Sequence, residues 1–169
     1  IAEFAPDVVY IDHLQMAQYA DLDGPYKTVL DHHNVESMII KRMSQTTANP
    51  AVRIYTRAEW PKLLNYELDV CRRASMVFTV TELDKAIIQD MAPQATNIHC
   101  LPVGLDLNYF GSVERDPNSR NILSIATMYW PPNVDSMLYF YNDIYPLVRK
   151  TAPDCRLTIA GQRPVKSIR

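Results

Sequence analysis

YKTVLDHHNVES, residues 26–37, runs from a short apolar, β-branched segment into a tip crowded with acid, imidazole and amide groups. Residues 27–30 read as a strand. Asn34 reads as the N-cap of a helix running from Val35 to about Thr46. A strand that ends in a polar tip and passes straight into a helix is half of a parallel βαβ unit, and the pattern recurs along the chain. Residues 7–11, 76–80 and 98–101 read as further buried parallel strands, and 121–125 and 156–159 follow later. Between them Leu63, Leu64, Glu67, Val70, Cys71 and Ala74 share one helical face, with Pro61 marking the start or a kink of that helix. Thr81 with Asp84 forms a capping-box-like pair. Val134, Met137, Leu138 and Tyr141 mark a helix after Pro131-Pro132-Asn133, which Pro146 should break before a further turn through Arg149. Alternating strands and helices give an α/β fold with an open, parallel sheet.

The chain of 169 residues, 47% apolar and 21% charged, has the composition of a globular protein. A net charge of −2 gives no electrostatic reason to expect a nucleic-acid partner. No apolar run approaches the ~20 residues of a membrane span. Cys71, Cys100 and Cys155 are scattered and odd in number, which reads as reduced core thiols of a cytosolic protein. The polar stretch from Gly111 to Arg120 has the composition of a linker and interrupts the βα rhythm. It divides the chain into a domain at 1–111, a linker at 112–120 and a second unit at 121–169. The chain opens at Ile1 and stops at Arg169 just behind a strand, which reads as a piece of a longer protein.

Ligands of parallel α/β sheets bind beyond the carboxyl ends of the strands. Asp12-His13, the tip from Asp31 to Asn34, Thr81-Glu82, and the run from Pro102 to Asp106 lie at such ends, and TMYWPPN (127–133) follows the strand of the second unit. A metal site built from Asp31, His32, His33 and Glu36 is disfavoured, because adjacent histidines on a strand tip point in opposite directions. Glu67 lies on an apolar helix face, where a carboxylate is costly unless paired; Arg42 is the expected partner. With only Gly24, Gly104, Gly111 and Gly161 there is no glycine-rich dinucleotide fingerprint and no Walker-type loop.

PDVVYIDHLQMAQYA (6–20), VLDHHNVES (29–37), NYELDVCRRASMVFTVTELDKAI (65–87) and NIHCLPVGLDLNYF (97–110) together resemble the second half of the acceptor domain of family 4 glycosyltransferases. NILSIATMYWPPNVDSMLYFYNDIYPLVRKTAPDCRLTIAG (121–161) resembles the start of the donor domain, most of all in bacterial sugar transferases of exopolysaccharide pathways. The resemblance implies a GT-B architecture: here the latter part of one Rossmann-like domain and the first βαβ unit of another. It implies transfer of a sugar from a nucleotide-diphosphate sugar to a saccharide or lipid-linked hydroxyl acceptor, with retention and without a cofactor or a metal. His13 and His33 are the implied catalytic residues, His13 lying nearest the anomeric carbon. Asp12, Asn34, Glu36, Thr81, Glu82, Gly104, Asp106, Trp130 and Asn133 are the implied substrate-binding residues. A cytoplasmic protein, associated peripherally with the inner face of the membrane, is implied as well.

Two positions depart from the family pattern. Val103 stands where many relatives have Asn, and Ala126 where the donor-domain strand ends in Gly; the basic pair that holds the diphosphate has no counterpart in 127–135. The rival readings are a sugar-nucleotide 2-epimerase of the same architecture and a non-catalytic interaction domain. Taken as a piece, the chain is expected to be inactive by itself and to self-associate through strand edges near Ile122 or Leu157.

Overall fold

The computed structural model describes residues 3–111 and 116–168. The chain forms two compact units that divide between Leu105 and Asp106. In the first, strands β1 (Val8–Asp12), β2 (Lys27–His32), β3 (Met76–Thr79) and β4 (Ile98–Cys100) pair in parallel in the order of the sequence. A 3₁₀ helix (Leu14–Tyr19) joins β1 to β2; α1 (Glu36–Thr46) and α2 (Pro50–Arg73) join β2 to β3; α3 (Glu82–Met91) joins β3 to β4. Every crossover steps the same way along the sheet, so right-handed connections must all lie on one face.

The register makes this visible. Ile11 pairs with Leu30, Leu30 with Val77 and Val77 with Ile98, a continuous row of buried side chains across the sheet. Leu14, Ala17, Val35, Val70, Cys71 and Ile88 from the connections close over that row. Each such burial removes an aliphatic side chain from water, worth ~1.5–3 kcal/mol. The opposite row is different. Val8 and Tyr10 are more than half exposed, and Met76 is 37% exposed. The expectation of buried strands therefore holds for one face only; among the described residues of this unit, the uniform direction of winding puts every helix on that covered face.

Two helix starts differ from the sequence reading. Asn34 does not cap α1: its N-cap is Val35, without a side-chain cap bond. Pro61 lies inside α2, which begins earlier, where Asn49 accepts from the backbone N–H of Ala51 and Val52 and Pro50 occupies the first turn. The proline pattern misled because a second proline, preceded by an asparagine cap, carries the real start. Thr81 does cap α3, its Oγ1 accepting from Asp84 N at 3.0 Å.

The second unit holds a short helix α4 (Leu107–Phe110), strands β5 (Asn121–Ile125) and β6 (Arg156–Ala160) paired in parallel, and the crossover between them. That crossover runs through α5 (Pro131–Tyr139), a π-helical turn (Phe140–Ile144) and α6 (Tyr145–Thr151). Pro146 opens the expected further turn, since α6 runs from Tyr145 through Arg149, but a π turn and not a break separates it from α5. The wider π turn just before it absorbs the misfit of a residue that lacks an N–H, and Pro146 sits in the first turn of α6. Gly161 is required by contact: a Cβ there would stand 1.9 Å from the Ala126 carbonyl oxygen. Of the linker read at 112–120, residues 112–115 lie outside the described residues. Among the described residues no helix is long and apolar enough to cross a membrane.

Candidate functional site

Parallel pairing brings His13, His33 and Thr81, each just beyond its own strand, to the same carboxyl edge of the sheet, and the run that holds Gly104 leaves β4 from that edge. At the β1–β2 end of that edge the register sets Asp12 beside Asp31. His33 Nε2 lies between these carboxylates, 3.3 Å from Asp12 Oδ1 and 3.3 Å from Asp31 Oδ2. His13 completes the group, with Nε2 3.8 Å from Asp12 Oδ1 and its ring centroid 4.0 Å from that of His33. The Tyr10 hydroxyl donates a hydrogen bond to Asp31 Oδ2. That bond, with partial burial and the charges of Asp31 and Asp12, pushes the phenol up to about 12. Two acids, two imidazoles and a phenol that stays protonated thus share one open corner.

His13 reaches this corner through an unusual backbone. Its N–H still donates to the Asp31 carbonyl, extending the ladder by one bond. Strict alternation would then send its side chain to the face that holds Ile11. Instead His13 adopts φ 67°, ψ 148°, a conformation that glycine tolerates and other residues hold at a cost of ~1–3 kcal/mol. The 3₁₀ helix that follows is tied back to it, Met16 N donating to His13 O at 3.0 Å. The chain spends conformational energy to place this imidazole next to His33.

One residue before His33, the pleat sends His32 the other way. Both His32 and Glu67 are buried, with His32 Nε2 3.1 Å from Glu67 Oε1. The pair is close, but the ring N–H groups are not aligned for a hydrogen bond with any described residue. Glu67 is otherwise well served. Its Oε1 accepts from Glu36 N at 2.6 Å, and its Oε2 accepts from Ser37 N at 3.3 Å and from the Ser37 hydroxyl. The partner expected at Arg42 is thus replaced by His32 and the first turn of α1. A carboxylate from α2 does the capping that Asn34 was expected to do, where the helix dipole favours a negative charge. It also uses donors of α1 that could otherwise have faced a ligand.

The remaining candidates are spread along the edge or belong to the second unit. Asn34 is exposed and Glu36 half-buried beside the cluster. Thr81 is engaged as a cap, and Glu82 pairs with Lys85 at 3.6 Å. Gly104 is exposed, with open space where a side chain would stand. In the second unit Asp106 caps α4, accepting from Asn108 N and Tyr109 N. There Trp130 is 46% exposed, and Asn133 Nδ2 donates to Thr127 O, holding the turn before α5. A concavity of the first unit, lined by Pro6, Asp7, Tyr19, Asp21 and Tyr26, lies at the amino ends of β1 and β2. Its place at the amino end of a parallel sheet leaves the histidine corner as the chemically equipped site of this unit.

Sequence reasoning missed Tyr10 and named Asp31 only as part of a polar strand tip and in a disfavoured metal quartet. The usable signal was the two-residue spacing of Tyr10 and Asp12, which sets them on one face of one strand. No family model matches the chain. A segment of 46 residues is 35% identical to the "Uncharacterized 44.6 kDa protein in cps region" of Klebsiella pneumoniae, covering 27% of this chain and 12% of that protein.

Proposed function

We propose that this chain belongs to a glycosyltransferase of GT-B architecture that moves a sugar from a nucleotide-diphosphate sugar to a hydroxyl acceptor, with retention, in polysaccharide or glycoconjugate assembly. The observation that carries the reading is the convergence of His13 and His33 with Asp12 at the carboxyl edge of a parallel sheet. The cps-region name of the Klebsiella relative fits a polysaccharide setting. A cytoplasmic place at the inner face of the membrane belongs to the same reading.

In this proposal the open corner meets the sugar, and His13 acts near the anomeric centre. Transfer from a diphosphate passes through a cationic, oxocarbenium-like state, which a protein accelerates by fixed geometry and fixed dipoles. Asp12 and Asp31 hold the rings from one side, and Tyr10 fixes Asp31. His13 therefore needs little reorganisation at the moment of reaction.

The test is steady-state transfer by the intact protein with a panel of nucleotide sugars. His13→Ala is expected to lower turnover about a hundredfold, the range for loss of one preorganised group, and to leave the donor Michaelis constant nearly unchanged. Unchanged turnover with a raised Michaelis constant would make His13 a binding residue only. A wild-type protein that transfers from no nucleotide sugar would sink the reading.

A further inference from the structure

Asp12, His13 and His33 offer one carboxylate oxygen and two imidazole nitrogens that all lie within 4.8 Å of one another. Tetrahedral zinc, bound at about 2.0–2.2 Å by nitrogen and oxygen, sets its ligand atoms about 3.3–3.5 Å apart. The measured edges are 3.3 Å from His33 Nε2 to Asp12 Oδ1 and 3.8 Å from His13 Nε2 to the same oxygen. The third edge lies within 4.8 Å, and all three side chains are at least one-third exposed.

The surroundings favour a dication. Asp12 and Asp31 are register partners on adjacent strands, so two carboxylates stand side by side at the tip. Like charges so placed repel, and a cation between them removes the penalty. Asp31 Oδ2 is also 3.3 Å from His33 Nε2, and Tyr10 ties that carboxylate down next to the ring. That oxygen faces the nitrogen that would bind the ion, so it adds negative charge at the edge of the coordination sphere.

We propose that Asp12, His13 and His33 form a three-ligand site for a divalent transition ion of the zinc type, leaving one coordination position open to water or a substrate oxygen. The site departs from the metal-free chemistry implied by the family resemblance. It depends only on the distances and charges at this corner and stands whether or not the transferase reading does. The sequence could not show it, since its two histidines come from different strands. The adjacent pair, His32 and His33, diverges instead.

The experiment is calorimetric titration of the whole chain with Zn²⁺ in a non-chelating buffer, repeated with Co²⁺ followed by visible absorption. Wild type is expected to bind one ion and to give the intense visible bands of tetrahedral Co²⁺ without thiolate-to-cobalt charge transfer. His33→Ala and His13→Gly are each expected to weaken binding at least about tenfold, the lower end of what disturbing a metal's supporting groups costs. Glycine suits φ 67°, so His13→Gly removes the ligand while keeping the backbone, and unchanged circular dichroism verifies the fold. His99→Ala and Cys100→Ser, away from the corner, are expected to bind as wild type does. The proposal is overturned if wild type binds no tighter than the His13→Gly/His33→Ala double variant, or if Cys100→Ser abolishes binding.

Discussion

His32 and His33 are neighbours in sequence and opposites in environment. His32 lies in the core against Glu67, within a pair that joins β2, α1 and α2. His33 stands about one-third exposed at the sheet edge, among Asp12, Asp31 and His13. The same side chain thus holds the fold together in one place and equips an open corner in the other. Burial makes the difference. A buried carboxylate has lost its water and depends on every partner, whereas an exposed one can exchange a lost partner for solvent.

The largest effect should come from the buried side of this comparison. Glu67→Ala leaves His32 without its acid and the first N–H groups of α1 without an acceptor. It is expected to cost about 3 kcal/mol in urea unfolding, since the donors from Glu36 and Ser37 lose a buried acceptor at about 1–3 kcal/mol each. Asp12→Ala at the open corner should cost less than about 1 kcal/mol, as for exposed ion pairs. Equal costs for the two would erase the distinction between a structural and an equipped histidine.

A smaller effect of opposite sign is expected at His13. Since its φ of 67° is a glycine conformation, His13→Gly should stabilise the fold by about 1 kcal/mol, the lower end of the strain released. A raised midpoint in thermal unfolding checks this. A loss of stability would show that ring contacts with His33 outweigh the strain, and that the corner is held together structurally after all.

The smallest effect is a titration. The Tyr10 phenol is raised to about 12, first by its hydrogen bond to Asp31. A raised pKa means that the bond's contribution is fully present below the ordinary phenol value of about 10 and is lost as pH rises through about 12. Tyr10 is 56% exposed, so solvent screening keeps that contribution to a few tenths of a kcal/mol at most. Ultraviolet titration of Tyr10→Phe should therefore lose the late-ionising tyrosine while unfolding barely moves. Loss of a tyrosine that ionises near 10 would place the Asp31 bond elsewhere.

Much of the fold was legible because its signals are local. Apolar β-branched runs gave every strand to within a residue or two, and Thr81 with Asp84 gave the cap of α3. The burial of Glu67 followed from its place on an apolar helix face, but its partner did not. His32 lies on a different element, and nothing in 27–37 shows which way each histidine turns. Asn34 looked like a cap because asparagine caps helices; the donors it would have met were taken by a carboxylate thirty residues on.

By itself the sequence determined the alternation of elements, the parallel sheet and the identity of the polar groups at the strand ends, because periodicity and capping depend on neighbours a few residues apart. Only the tertiary structure decided which groups meet. Winding in one direction covered one sheet face and left Tyr10 on the other, and the β1–β2 register set Asp12 beside Asp31. A backbone angle that no pattern encodes brought His13 against His33. Such encounters depend on register and on single dihedral angles, which are fixed only when strands far apart in sequence pack together.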